Sequence, residues 1–204
     1  MPELAAATQP KSLPVGPVGR RGVGWWGVST LILSELALFG YLFFAYFYTG
    51  ATAPPGWLID PAPSLKLALP NTVLLLASSV IVWLGERSIR RGGRAGAQAA
   101  FAIAFLIGGA FVAIQWLEWS SKPFRLGTSS YASLYFVTGG LHIAHVIAGL
   151  LVLAALFWWT CLDYFSVRRH LVVAAGALYW HFVSLVSVLV LFTFYVTPYL
   201  GFGR

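Results

Sequence analysis

The chain has 204 residues, of which 59% are hydrophobic and only 9% are charged. Soluble domains carry about a quarter charged residues, so this composition, with a mean hydropathy of +0.79, excludes an ordinary soluble domain and indicates a polytopic membrane protein. The formal net charge of +7 does not indicate nucleic-acid binding, because the basic residues lie in short loops between apolar segments, where membrane topology places them.

Residues 1–22 form a polar segment that contains proline, glycine and basic residues but lacks the apolar stretch of a signal peptide. We interpret this segment as a cytoplasmic lead, followed by a membrane domain over residues 23–204. The single cysteine, Cys161, excludes an intrachain disulfide bond and a CxxC metal site. The single methionine, Met1, argues against a copper or haem centre with methionine ligands.

The first predicted span, residues 24–48, carries Glu35 near its middle. With a rise of about 1.5 Å per residue, Glu35 lies roughly 16 Å from the start of the span and therefore near the bilayer midplane. A charge at that depth costs about 2.5 to 3.5 kcal/mol. We therefore expect Glu35 to face other helices or a lined cavity and to carry a proton. The simplest alternative is a neutral glutamic acid that donates one interhelical hydrogen bond.

Four further spans follow a proline-rich stretch, residues 49–70, which we predict as an exposed loop. The second span begins near Pro70 with Asn71 as its N-cap and ends at a Gly-Gly pair, residues 92–93. The remaining apolar segments predict three more helices, at about residues 97–119, 132–160 and 173–199.

The lysines and arginines divide unevenly between the two sides that this pattern predicts. Nine of them fall on the side of the N-terminus and four on the other side. Because cytoplasmic loops carry the excess of basic residues, we predict a cytoplasmic N-terminus and a C-terminus on the outer side. For a bacterial chain this means the cytoplasmic membrane.

The intramembrane histidines are the next candidates for chemistry. His142 and His145 lie three residues apart, and hence on one face of the fourth helix, and His181 lies in the fifth. They could ligate a metal or haem, or they could form hydrogen bonds between helices as neutral imidazoles. The chain has only four histidines, too few for a di-iron or two-haem site, so we predict no metal or cofactor in this chain.

A second group of residues is typical of the membrane interface or of lipid headgroup contacts. Tryptophan favours this depth, and a basic cluster could hold anionic headgroups or a partner subunit. The candidates are Trp25, Trp26, Arg87, Arg90, Arg91, Gln115, Glu118, Trp119 and Trp180. No phosphate-binding loop, nucleophile elbow or pair of catalytic carboxylates accompanies them, so the sequence offers no catalytic residues of its own.

Taken in order, short motifs over about 175 residues resemble subunit III of the haem-copper terminal oxidases, in its short five-helix bacterial form. The first motifs are Trp25-Trp26, Ser34-Glu35, Phe44-Ala45-Tyr46-Phe47, Asn71-Thr72 and Ser78-Ser79. The later motifs are Arg90-Arg91-Gly92, Gly109 with Phe111, Gln115, Glu118 and Trp119, then Thr138-Gly139, His142, His145-Val146, Gly149 and Tyr179-Trp180-His181-Phe182-Val183. The chain departs from the family pattern at Ile143, where glycine is usual, and at Ser184 and Ser187, where aspartate and tryptophan are usual.

The resemblance implies an all-α membrane subunit without cofactors, beside catalytic subunits I and II that carry the haems and copper. It implies a V-shaped cleft between the first two helices and the other three, which holds phospholipids and admits O₂, with Glu35, His142, His145 and His181 as its intramembrane polar residues. It also implies a complex that reduces O₂ with electrons from cytochrome c or quinol, and a supporting role in proton uptake.

Two other functions fit parts of the sequence. The accessory membrane subunit of nitric-oxide reductase shares the same motifs. A free-standing transporter of small solutes is a different class of protein, and it should have helices broken at the midplane. Glycine and proline are scarce inside these spans apart from the pairs at residues 108–109 and 139–140, which disfavours the transporter.

Overall fold

A computed structural model describes residues 23–58 and 63–203, and this part of the chain is helical apart from its turns and loops. The helices are α1 (Val23–Thr52), α2 (Leu65–Arg90), α3 (Arg94–Ser120), α4 (Ser130–Cys161) and α5 (Leu171–Leu191). A π-helical turn (Phe192–Val196) and a 3₁₀ turn (Thr197–Leu200) extend α5. Five helices are long and apolar enough to cross a membrane, which confirms the predicted fold class. The predicted N-terminal lead lies outside the described residues.

Helix α2 begins earlier than the sequence predicts. Its N-cap is Ser64, whose Oγ accepts a hydrogen bond of 3.2 Å from the backbone N–H of Lys66. Pro70 lies inside the helix, where proline removes one hydrogen bond near the helix start. The prediction that Asn71 is the N-cap is therefore wrong. Asn71 is buried instead, and its Nδ2 donates to the carbonyl oxygen of Phe111 on α3.

Helix α5 occupies the centre of the bundle and packs against α1, α2 and α4. Half of its most apolar window is buried, against a third or less for each other span. A tight turn joins α2 to α3, and a nine-residue loop joins α4 to α5. Helix α1 packs on α4 and α5. Within the described residues, α1 and α2 do not form the two-helix unit that the resemblance implies, because the buried face of α2 meets α3 and α5.

Small residues allow the closest helix contacts. A Cβ atom at Gly85 on α2 would lie 2.9 Å from the Cβ of Ala100 on α3. A Cβ at Gly108 on α3 would lie 2.7 Å from the Trp180 ring of α5. In a membrane, where lipid is as apolar as the protein interior, such close backbone approach is a main source of helix association.

The two serines at divergent positions lie at the contact between α5 and α2. Ser184 is buried and donates a hydrogen bond of 2.9 Å to the carbonyl of Trp180. Ser187 is also buried, and its Oγ lies 3.5 Å from Oγ1 of Thr72. The small hydroxyl side chains therefore let α5 pack directly on α2 without a carboxylate at this position.

The loop after α1 contributes to the core at the opposite end of the bundle from the start of α1. Trp57 is buried, and its Nε1 donates a 2.8 Å hydrogen bond to Oγ of Ser130. Its ring packs against Tyr46 and Tyr131. The prediction of an exposed loop is therefore wrong at Trp57. Its large apolar indole ring is buried in an aromatic cluster with Tyr46 and Tyr131.

Candidate intramembrane polar site

Glu35 on α1 and His145 on α4 form the polar contact that joins these two helices at mid-membrane depth. Nε2 of the imidazole lies 2.9 Å from Oε2 of the carboxyl group, and the side chains are only 14% and 22% exposed, respectively. The structure thus places Glu35 against another helix, in agreement with the cost of leaving a carboxyl group in lipid.

The second ring nitrogen of His145 determines how protons are arranged in the pair. Nδ1 lies 2.6 Å from the carbonyl oxygen of Leu141, which can only accept, so Nδ1 carries a hydrogen and donates it. Nε2 then either accepts a hydrogen bond from a protonated Glu35 or donates one to a carboxylate. One proton is shared in both cases, and the pair as a whole is neutral. This neutrality explains how two ionisable side chains are tolerated at this depth.

Aromatic side chains hold the pair in position. The ring of Phe39, one turn after Glu35, packs edge to face against His145 with centroids 5.2 Å apart. The hydroxyl of Tyr179 on α5 donates a 3.3 Å hydrogen bond to the backbone carbonyl of His145. Three helices therefore fix the position of the imidazole, although only α1 supplies its acidic partner.

An apolar groove of about 400 Å³ ends next to the pair. Its walls come from α1, α4 and α5, and include Leu31, Ala148 and Tyr179. Leu31 lies one helical turn before Glu35, and Ala148 lies three residues after His145. The groove therefore extends from the level of the pair toward the start of α1, and Glu35 and His145 are not among its lining residues.

The other two intramembrane histidines lie in separate environments. His142 is 4% exposed and packs edge to face against Phe39 and Phe111. Nδ1 of His181 on α5 is hydrogen-bonded to Oγ of Ser79 on α2. The structure therefore does not bring His181 against a histidine of α4, and no group of three or more potential metal ligands occurs among the described residues.

Comparison with known proteins identifies the family. The sequence pattern of the cytochrome c oxidase subunit III family matches residues 17–200. This chain belongs to the cytochrome c oxidase subunit III family. It is 34% identical over 175 residues to cytochrome c oxidase subunit 3 of Heterololigo bleekeri, with 82% of this chain and 67% of that protein covered.

Other relatives in the subunit III family have similar identities. The protein of the same name from Synechocystis sp. is 33% identical over 184 residues, which cover 89% of this chain and 78% of the relative. The protein from Drosophila melanogaster is 32% identical over 178 residues, which cover 83% of this chain and 68% of that relative. The family match over residues 17–200 therefore covers all five helices.

Two residues that the sequence placed at the membrane interface are buried in this subunit III family member. Trp180 is 1% exposed, and its Nε1 donates a 3.0 Å hydrogen bond to Oγ of Ser78. Glu118 is 3% exposed and is paired with Lys122 at 2.8 Å. Both interface predictions are corrected. Trp180 lies on the central helix α5 with its ring against Gly108 of α3 and Gly149 of α4, and Tyr195 of the π-helical turn packs on Glu118.

The burial of Glu118 depends on a hydrogen-bond network that sequence reasoning missed. The hydroxyl of Tyr195 donates to Oε1 of Glu118 at 2.6 Å and lies 2.6 Å from the hydroxyl of Tyr135. Tyr195 belongs to the π-helical turn. The hydroxyl of Tyr131 donates a hydrogen bond to the backbone carbonyl of Phe194 in the same turn. Opposite charges four residues apart on a helix can form an ion pair, so the spacing of Glu118 and Lys122 could have predicted their contact.

The remaining interface candidates lie at helix ends. Trp26 is 57% exposed, and the ring of Trp25 packs against its ring with centroids 5.1 Å apart.

The basic candidates lie near the end of α2. Nη2 of Arg90 lies 2.6 Å from Oε1 of Glu86, and the guanidinium of Arg87 lies over the ring of Trp83. Arg91 is exposed at the C-cap of α2; Gln115 and Trp119 are partly buried at the end of α3. These positions remain predictions for headgroup or partner contacts.

Proposed function

We propose that this chain is the non-catalytic subunit III of a haem-copper terminal oxidase, located in the cytoplasmic membrane of a bacterium with its N-terminus on the cytoplasmic side. The observation that carries the proposal is the family match over residues 17–200. The relatives are named cytochrome c oxidase subunit 3, which favours cytochrome c over quinol as the electron donor of the complex.

In this proposal the chain binds no haem or copper and stabilises the catalytic subunit by covering part of its membrane surface. The described residues contain no metal-ligand group of three, and the best-placed histidine, His145, is already committed to Glu35 and Leu141. In the proposed complex the partner subunits I and II carry out O₂ reduction, and this chain supplies packing surface and a neutral polar contact.

The groove between α1, α4 and α5 supports a role in lipid binding and O₂ access. Its walls are almost entirely apolar, and its volume of about 400 Å³ suits a phospholipid acyl chain. O₂ is apolar and concentrates in such an environment, so the same groove could lead it toward the catalytic subunit. A part in proton uptake would be indirect, through stabilisation of the catalytic subunit.

The test is co-purification from native membranes. We expect an affinity tag on the N-terminus to recover a larger subunit with the absorbance of haem, together with bound phospholipid. After the subunits are separated in mild detergent, we expect this chain to retain neither haem nor copper. Recovery of the chain alone in several gentle detergents would contradict the proposal and favour a transporter, and recovery with nitric-oxide reductase subunits would assign it to that complex.

A further inference from the structure

Three buried polar atoms on one face of α4 have no hydrogen-bond partner among the described residues. They are Oγ1 of Thr138 and both ring nitrogens of His142. Thr138 is 0% exposed and His142 is 4% exposed, so neither side chain reaches the lipid or bulk solvent. Buried polar atoms in native proteins are nearly always paired with protein or with ordered water, so these three atoms need a partner.

The hydroxyl of Thr138 does not use the partner that a helix ordinarily offers. Threonine in a helix commonly donates to the carbonyl four residues earlier. Thr160, which is also buried on α4, donates in this way to Leu156 at 2.6 Å. Thr138 lacks this bond, so its hydroxyl is free to bind another group on the face that it shares with His142.

The surroundings of His142 cannot satisfy the ring. Phe39 and Phe111 pack edge to face against it, with centroids 6.5 and 5.7 Å away. An aromatic face can accept a weak contact from an N–H group, but it has no hydrogen to donate. A neutral imidazole always has one nitrogen that must accept. That nitrogen therefore requires a donor that the two phenylalanines cannot supply.

We propose that a water molecule is bound between Oγ1 of Thr138 and the accepting nitrogen of His142, enclosed by Phe39 and Phe111. Side chains four residues apart on a helix have Cβ atoms about 5 to 6 Å apart, a separation that one water can bridge. The water donates one hydrogen to the imidazole and exchanges a second hydrogen bond with the threonine hydroxyl. This site is independent of the function proposed above.

The experiment is magnetisation transfer from water to the histidine rings of the full chain, labelled with ¹⁵N-histidine and reconstituted in lipid bilayers. The chain has only four histidines, and the His142 signal is the one that disappears in His142→Phe. We expect transfer from water to His142 in the unmodified chain and its loss in Thr138→Val, which keeps the shape of the side chain but removes the hydroxyl. Thr160→Val is the matched control and should keep the transfer.

Two results would overturn the proposal. The first is the absence of transfer to His142 in the unmodified chain, which would mean that the ring is dry. The second is transfer that persists in Thr138→Val, which would mean that any water near His142 is bound without the threonine.

Discussion

Lys122 and Glu118 form an ion pair inside the protein, with Nζ 2.8 Å from Oε1 and side chains that are only 10% and 4% exposed. The ammonium group also lies over the rings of Tyr135 and Tyr195, 5.7 and 5.5 Å from their centroids. The pair therefore ties the end of α3 to α4 and to the π-helical turn after α5, and it places the Glu118 face of this helix end in the protein interior.

The first prediction concerns this ion pair. Removal of one partner from a buried pair leaves an uncompensated charge, which costs about 3 to 5 kcal/mol. We therefore expect Lys122→Met to lower the free energy of unfolding by about that amount, and the double variant Glu118→Gln/Lys122→Met to recover part of the loss. The measurement is denaturant-induced unfolding of the purified chain in detergent.

A matched control is available at the other end of the bundle. Arg94 and Asp163 form an ion pair at 3.1 Å, but their side chains are 45% and 61% exposed. Exposed pairs contribute about 0 to 1 kcal/mol, so Arg94→Met should have little effect. Equal losses in Arg94→Met and Lys122→Met would show that burial of the Glu118–Lys122 pair does not increase its contribution to stability.

The second prediction compares two neighbouring glycines on α3. A Cβ atom at Gly108 would lie 2.7 Å from the Trp180 ring and 2.8 Å from Leu150, whereas a Cβ at Gly109 meets nothing within 4 Å. Trp180 is buried and fixed by its hydrogen bond to Ser78, so it has little room to move. We expect Gly108→Ala to destabilise the chain by about 1 to 3 kcal/mol.

Gly109→Ala serves as the control for that substitution and should not lower the free energy of unfolding, because alanine favours a helix interior over glycine by about 0.5 to 1 kcal/mol. Both variants add one methyl group to the same helix, so their difference isolates the contact with Trp180. Indistinguishable unfolding curves would mean that the α3–α5 contact is looser than the structure indicates.

The third prediction concerns Glu35 and rests on the proposed function. The amide of Glu35→Gln can still donate to Nε2 of His145, so we expect assembly and the initial rate of oxygen consumption to stay nearly unchanged. Glu35→Ala leaves Nε2 of His145 without a hydrogen-bond partner, which lowers the stability by about 1 to 3 kcal/mol. This variant should start at a near-normal rate and lose activity faster during sustained turnover, as the subunits separate.

Oxygen uptake over many turnovers, recorded with the proton-to-electron ratio, provides the measurement. An immediate loss of proton pumping in Glu35→Gln would assign Glu35 to a proton path and refute a supporting role for it. Equal behaviour of the Gln and Ala variants would show that the hydrogen bond to His145 does not contribute to stability in the complex.

The fourth prediction concerns topology and follows from the nine-to-four division of basic residues. Because five spans reverse the side of the chain between its ends, we expect a reporter fused after Arg204 to be active only on the outer side of the membrane. A reporter at the same position that is active in the cytoplasm would overturn the orientation or the number of spans.

The sequence was sufficient to predict the class of protein, the five spans and the family. Length and hydropathy set the class of protein and the five spans directly, since a helix must be apolar over about 20 residues to cross a bilayer. The family was indicated by the resemblance of the ordered motifs. The sequence also predicted that Glu35 faces protein, because the cost of a charged group in lipid does not depend on which helix covers it.

Only the tertiary structure decided which side chains meet. The sequence named no partner for Glu35, and it left His142, His145 and His181 as possible metal ligands or as neutral imidazoles bonded between helices. The packing of α1 on α4 pairs His145 with Glu35. The burial of Trp180 and Glu118 was also hidden in the sequence. Lipid and protein interior are both apolar, so the side-chain pattern along a membrane helix does not distinguish the face that meets lipid from the face that meets another helix.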